Sequence, residues 1–304
     1  MAAPRLRSGP VASPFLKWAG GKSQLLPQFE SLYPAAEDVE RYLEPFVGSG
    51  AVFFDVRKVL LPKRSILSDN NADLVNVWKT LKQRVEDVIA ALDRHRRLHS
   101  ERHYYAVRAQ KIDDLDEVER AARLIYMNKT CFNGLYRVNS KGQFNVPLGR
   151  YVNPPILDAE NLRAVCEVLG RASIKVAHFR QTLKDARPGD FVYFDPPYDP
   201  LSQTAYFTAY TEGAFGRKDQ AELADVYAQL ARRGCRVMLS NSDTEFVRSL
   251  YRDFDVRTVT ARRTINSRAD RRGPIGEVVV INYEPPARIV TRKPTRRRAS
   301  ARAD

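Results

Sequence analysis

Hydrophobic positions along the chain fall into two kinds of run. Short, nearly continuous apolar stretches that stop at an acid, a proline or a glycine recur as "RYLEP" (41–45), "SILSD" (65–69), "ASIKVAHF" (172–179), "DFVYFDPP" (190–197), "CRVMLSNSD" (235–243) and "GEVVVINY" (276–283). Their length and their β-branched and aromatic content predict strands. Between them, "AVFFDVRKVL" (51–60), "RKDQAELADVYAQLARRG" (217–234) and "TEFVRSLYRD" (244–253) repeat apolar residues at helical spacing. Strands alternating with helices predict an α/β sheet. The alternation breaks between 72 and 127, where "LVNVWKTLKQRVEDVIAALDRHRR" and "DEVERAARLIYMNK" are helical without an intervening strand. Two short alternating runs around Lys141-Gly142, in "FNGLYRVNSKGQFNVPLG" (132–149), then predict a hairpin. The expected organisation is an α/β core at 13–75 and 166–284, split by a mostly helical module at 76–165. A tail is expected at each end, 1–12 and 285–304.

Composition sharpens this picture. A chain of 304 residues with 43% hydrophobic content supports a substantial core. The net charge of +14 points to a polyanionic partner, nucleic acid before an anionic membrane surface. Residues 285–304, "PPARIVTRKPTRRRASARAD", carry seven basic residues against one acidic and too little apolar surface to fold, yet most of the excess charge lies in the body. No apolar run approaches the roughly 18 residues of a spanning helix, and "MAAPRLRSGPVASPF" lacks a signal-peptide core. The expectation is a soluble, intracellular protein. Cys131, Cys166 and Cys235 have no CxxC spacing, so neither a disulfide framework nor a zinc site is expected. His95, His99 and His103, spaced four apart in an Arg-rich stretch, read as a solvated basic helix face rather than as metal ligands.

Two stretches carry chemistry. In "EPFVGSG", Gly48 and Gly50 follow a strand and open a helix, a setting in which backbone amides approach a nucleotide-like ligand. About 20 residues later a second strand ends in Asp69, placed to accept ribose hydroxyls; the alternative is a tight turn with Asp69 capping the next helix. The ligand implied is NAD or S-adenosylmethionine. "DPPY" at 195–198 separates the two. With Asp195 at the end of a central strand, its carboxylate and the Pro196 carbonyl form two converging acceptors, Pro197 stiffens the turn, and Tyr198 offers a ring for stacking. Such a pair holds both hydrogens of an aromatic amine and aims its lone pair at an electrophile, which hydride transfer does not need.

Taken together, the chain resembles the Dam-type DNA adenine methyltransferases over residues 14–283. The resemblance rests on "FLKWAGGK" (15–22), "EPFVGSGAVFF" (44–54), "LSDNNADLVNVW" (67–78), "FNGLYRVNSKGQFNVPLG", "DPPY", "FTAY" (207–210) and "LSNSD" (239–243). It implies a Rossmann-like S-adenosylmethionine-dependent methyltransferase sheet with an inserted target-recognition module, and no metal. Trp18, Lys22, the Phe46–Gly50 turn, Asp69 and Asp195 would hold the cofactor. Glu44 stands where many methyltransferases have Asp. The substrate implied is double-stranded DNA, with GATC suggested by "FNGLYR" and "NVPLG". The adenine would be flipped from the duplex, with Phe132 as a wedge and Asn133 and Arg137 contacting bases. "TAYFTAYTEGAF" (204–215) is a candidate lid, and the protein is expected to act as a cytoplasmic, nucleoid-associated monomer. The competing readings are a methyltransferase for an RNA base or protein amide, and a basic nucleic-acid-binding protein with a vestigial site.

Overall fold

The computed structural model describes residues 11–18, 20–199, 215–262 and 274–286. The candidate lid, apart from Phe215, and most of both expected tails lie outside them. The chain builds one seven-stranded sheet from β1 (Arg41–Glu44), β2 (Arg64–Asp69), β3 (Ala172–Val176), β4 (Phe191–Phe194), β5 (Arg236–Ser242), β6 (Asp255–Arg262) and β7 (Pro274–Ile281), in the order β3-β2-β1-β4-β5-β7-β6. Strands β1 to β5 are parallel, and β7 lies antiparallel between β5 and β6. The helices are α1 (Leu26–Phe29), α2 (Ala51–Val59), α3 (Ala72–Leu98), α4 (Glu101–Ala109), α5 (Glu117–Thr130), α6 (Ala159–Leu169), α7 (Thr182–Asp185), α8 (Arg217–Arg232) and α9 (Glu245–Leu250).

Burial on both faces explains the continuous apolar runs. In β4, Phe191 and Tyr193 join the core formed with α2 and α3, whereas Val192 and Phe194 join the core formed with α8. Strand β7 sorts the same way, with Val279 and Ile281 on the first face and Val278 and Val280 on the second. Each such side chain contributes about 1.5–3 kcal/mol by leaving water. From β1 the chain steps outward to β2 and β3 and later returns to place β4 on the other side of β1. The strand order therefore reverses there, and a crevice opens beyond the carboxyl ends of β1 and β4.

The helical module shares the sheet's core. Leu81, Leu92, Tyr104 and Ile125 belong to the same buried cluster as Tyr42 and Phe53. The Asn71 side chain caps α3 by accepting from the Leu74 amide at 3.0 Å, and the helix continues through a kink at Arg84. The bounds expected at 75/76 and 165/166 thus fall inside α3 and α6. No linker exists at either point, because Trp78 and Val165 are fully buried.

Three readings of local pattern change. The 132–149 segment does turn back at Gly142 (φ +72°), but through the isolated bridges Val138–Phe144 and Cys131–Leu148 rather than through paired strands. A two-stranded pairing on its own is marginal, and the segment is held instead by Tyr104 and Arg108, which both donate to the Val146 carbonyl. Strand β6 had no expectation, because its apolar residues Val256 and Val259 are three apart and pack on opposite faces of the sheet, which leaves no alternation to read. The three histidines are not a solvated face. α3 ends before His103, and the turn brings the His95 Nδ1 within 3.0 Å of the His103 Nε2 and stacks His95 on Tyr126. Burial lowers the His95 pKa to about 4, with His103 and Arg94 acting in the same direction.

Candidate active site

The turn after β1 is built by glycine. Gly48 (φ +48°) and Gly50 (φ +72°) lie in the left-handed region, and a Cβ on Gly50 would stand 2.5 Å from the Trp78 ring. Trp78 in turn donates its indole N–H to the Gly48 carbonyl at 3.1 Å. Asp69 locks the turn from β2: Oδ2 accepts from the Gly48 amide at 3.2 Å and Oδ1 from the Asn71 amide at 3.0 Å. Asp69 thus sits behind the turn rather than in the wall of the cavity described below. Glu44 closes β1, is buried, and accepts from the Tyr42 hydroxyl at 2.7 Å. Burial holds its carboxyl well above the ordinary value of 4.5 against that hydrogen bond, and the charges of Asp195 and Asp69 push the same way as burial.

Asp195 follows directly on β4, at the other side of the crevice. Lys22, only 4% exposed, places its ammonium 2.7 Å from Oδ1. Ser240, on β5, donates to the same Oδ1 at 3.0 Å, and its oxygen accepts from the buried Tyr193 hydroxyl at 2.7 Å. Among the described residues these are the donors to this carboxylate, and both meet one oxygen. Oδ2 remains an acceptor. Burial raises the Asp195 pKa, while Lys22 and Ser240 pull it down. Lys22 also donates to the Gly20 carbonyl and lies 4.5 Å from the centre of the Tyr198 ring.

The backbone of the turn is clamped from behind. Gln220 on α8 donates to the Pro197 carbonyl at 2.8 Å and accepts from Asn241 at 2.9 Å. Asn241 accepts from the Asp199 amide at 3.3 Å, and Ser242 donates to the Asp199 carbonyl at 2.7 Å. "LSNSD" is therefore the scaffold of the turn. Its role is not readable from sequence, because the residues it braces lie 21 to 47 residues away.

A cavity of about 430 Å³ joins these parts. Trp18 and Gly20–Lys22 form one wall, Glu44, Phe46 and the glycine turn a second, and Asp195–Tyr198 a third. Three segments that are remote in sequence thus meet as the motifs imply. Phe132, Asn133 and Arg137 lie outside the cavity, on the hairpin beside it. The link is a stack of Trp18 on Tyr136, with ring centres 5.3 Å apart. Buried Asn128, absent from the sequence reading, ties the two segments by accepting from the Lys17 amide and donating to the Lys17 and Gly134 carbonyls. Phe132 is 49% exposed, Asn133 adopts φ +56°, and exposed Arg137 donates to the Asn145 side chain at 2.8 Å.

A doubly wound sheet with a glycine turn at its reversal point and a carboxylate-bearing turn on the neighbouring strand places the protein in the class of α/β enzymes that hold a nucleotide-like cofactor at the carboxyl ends of the strands. Comparison narrows the class. The profile of the D12 class N6 adenine-specific DNA methyltransferases matches residues 18–265, and the chain belongs to that family. It is 45% identical over 276 residues to the Type II methyltransferase M1.LlaDCHI of Lactococcus lactis subsp. cremoris, covering 89% of this chain and 95% of the relative. To the Type II methyltransferase M.MjaIII of Methanocaldococcus jannaschii it is 44% identical over 285 residues, covering 89% and 99%. To the DNA adenine methylase of Escherichia coli K12 it is 35% identical over 283 residues, covering 89% and 95%. The protein is an adenine-specific DNA methyltransferase with a Rossmann-like fold.

Proposed function

We propose that this enzyme methylates the adenine of GATC in double-stranded DNA, with S-adenosylmethionine as donor and Asp195 and Pro196 as the acceptors of the target amine. The observation that carries the assignment of the acceptor is the asymmetry of Asp195: Lys22 and Ser240 fix Oδ1 and leave Oδ2 for the substrate. The Pro196 carbonyl is the second acceptor. Together they take both amine hydrogens and turn the nitrogen lone pair out of conjugation with the ring. Lys22 opposes the rise that burial imposes on the Asp195 pKa, and the ring of Tyr198 supports the flipped base. The proton released from the amine after transfer leaves to solvent.

The cavity suits the proposed donor. An aromatic face from Trp18, the buried carboxyl group of Glu44 and the open backbone of the glycine turn match an aromatic purine, a cation and a ribose, with Phe46, Gly48 and Ser49 forming the floor and Gly50 shaping the turn from behind. Asp69 would reach a ribose only with the lone pairs its backbone partners leave. When bound, the donor supplies an electrophilic methyl group. Extruding the adenine costs on the order of a few kcal/mol. Phe132 would fill the vacated space, and Asn133 and Arg137 would contact neighbouring bases. Residues 76–165, whose ends lie inside α3 and α6, would serve as the target-recognition module between core segments 13–75 and 166–284. The enzyme would work as a monomer on cytoplasmic, nucleoid-associated DNA.

GATC rests on the resemblance of "FNGLYR" and "NVPLG" to GATC-specific members of the family. The test is to incubate the protein with S-adenosylmethionine and unmethylated plasmid and to map N6-methyladenine by sequencing. Modification centred on GATC supports the reading, and a map centred on another sequence overturns the specificity.

A further inference from the structure

Gln220, Asn241 and Ser242 hold the backbone after β4, but the Tyr198 ring is fixed by another residue. Its hydroxyl donates to Glu277 Oε2 at 2.5 Å. Glu277 enters from β7, whose antiparallel register sets it opposite Ser242 at the carboxyl end of β5. The next four residues, Val278 to Ile281, are fully buried, so this carboxylate interrupts an otherwise apolar strand. A partly buried carboxylate is costly unless a donor meets it, and here the donor is the phenol of the "DPPY" turn. Across the ring, the Lys22 ammonium lies 4.5 Å from the ring centre and 2.7 Å from Asp195. Tyr198 is thus held at its hydroxyl by an anion and at its face by a cation. Glu277 itself does not line the cavity. Among the described residues its side-chain partner is Tyr198, through which it reaches the cavity.

We propose that Glu277 is a positioning residue for methyl transfer: by anchoring the Tyr198 hydroxyl it sets the ring plane against which the target adenine rests. The inference depends on the role given above to Tyr198. A base in the cavity must be presented with its amine in near-attack geometry, and a ring free to swing loses that orientation without loosening the cofactor. Removing the carboxylate therefore lowers the rate of transfer, by roughly 10- to 100-fold for a charge-assisted hydrogen bond, and leaves cofactor affinity nearly unchanged.

The test is a double-mutant cycle on the full-length enzyme with Glu277→Ala, Tyr198→Phe and the two combined, together with Glu277→Gln. Three quantities are read: the single-turnover rate, the Kd for S-adenosylmethionine, and the fluorescence of duplex DNA carrying 2-aminopurine at the target position. Expected are equal losses of rate in the two single variants, no further loss in the double variant, substantial retention by Glu277→Gln, and a changed fluorescence for Glu277→Ala. Additive losses in the double variant, or a Glu277→Ala defect confined to cofactor Kd or thermal stability, would overturn the proposal. Tyr198→Ala separates the two levels of the argument. If it transfers at the wild-type rate, the role of Tyr198 fails and this inference with it. If it is defective while Glu277→Ala is not, the positioning role alone falls.

Discussion

Glu44 is a carboxyl group placed where ionisation is penalised, and the direction of that penalty yields a stability prediction. Its pKa in the folded protein lies well above the ordinary 4.5, chiefly through burial. Below that ordinary value both states carry the proton and no penalty exists. As pH rises past it, the unfolded chain ionises first, so stability is lost progressively until the folded-state pKa is reached. Glu44→Gln removes this dependence while keeping an acceptor for Tyr42. Urea unfolding of the cofactor-free protein should show a stabilised variant at about pH 8 and a near-equal pair at about pH 4. Lower stability of the variant at the higher pH would contradict this reading of Glu44, whereas weaker cofactor binding is the expected functional cost of replacing a wall group that can ionise opposite a bound cation. The same scale explains the limits of reading such residues in sequence. Gly48, Gly50 and Asp195 are visible because they belong to spaced motifs at strand ends. Glu277 carries no signal, since one acid before an apolar strand resembles any strand boundary until its partner Tyr198 is seen beside it.

Among elements, the hairpin carries the specificity claim. Arg137 is exposed, and its guanidinium is partly occupied by Asn145, which aligns it without burying it. A guanidinium fits the two major-groove acceptors of guanine, and losing that pair costs about 1–3 kcal/mol of discrimination. Arg137→Ala should therefore methylate plasmid sites altered at the guanine, such as AATC, at rates approaching those for GATC. A methylation map in which every site is equally impaired and preference is preserved would reduce Arg137 to a backbone contact. The strands of the sheet core were legible wherever both faces are buried, as in β4 and β7, because burial on two sides leaves no polar interruption. The ends of the module were not legible. Helices α3 and α6 run through them with their apolar stripes intact, and the module packs into the sheet's own core. The hairpin's register escaped for the opposite reason: beyond its two isolated bridges the segment is tied by side chains, Asn139 and Arg137 within it and Tyr104 and Arg108 from α4, rather than by a continuous ladder.

For the whole molecule, charge and convergence make separate claims. Residues 285–304 hold a large share of the net +14 without base-reading chemistry of their own. Deleting them should weaken binding to all DNA alike and flatten the slope of log affinity against log salt, which is about −0.9 per phosphate neutralised, while leaving the methylation map unchanged. An unaltered slope would mean that the tail does not meet DNA. The catalytic claim is that segments from three parts of the chain converge so that one carboxylate oxygen is held by the protein and the other by the substrate. Its most direct test is Asp195→Ala, measured as the single-turnover rate of methyl transfer to duplex DNA alongside the affinities for S-adenosylmethionine and DNA. The expected rate is lowered by at least about 100-fold with the fold and duplex binding retained. A purified variant whose rate stays within about tenfold of wild type would contradict it.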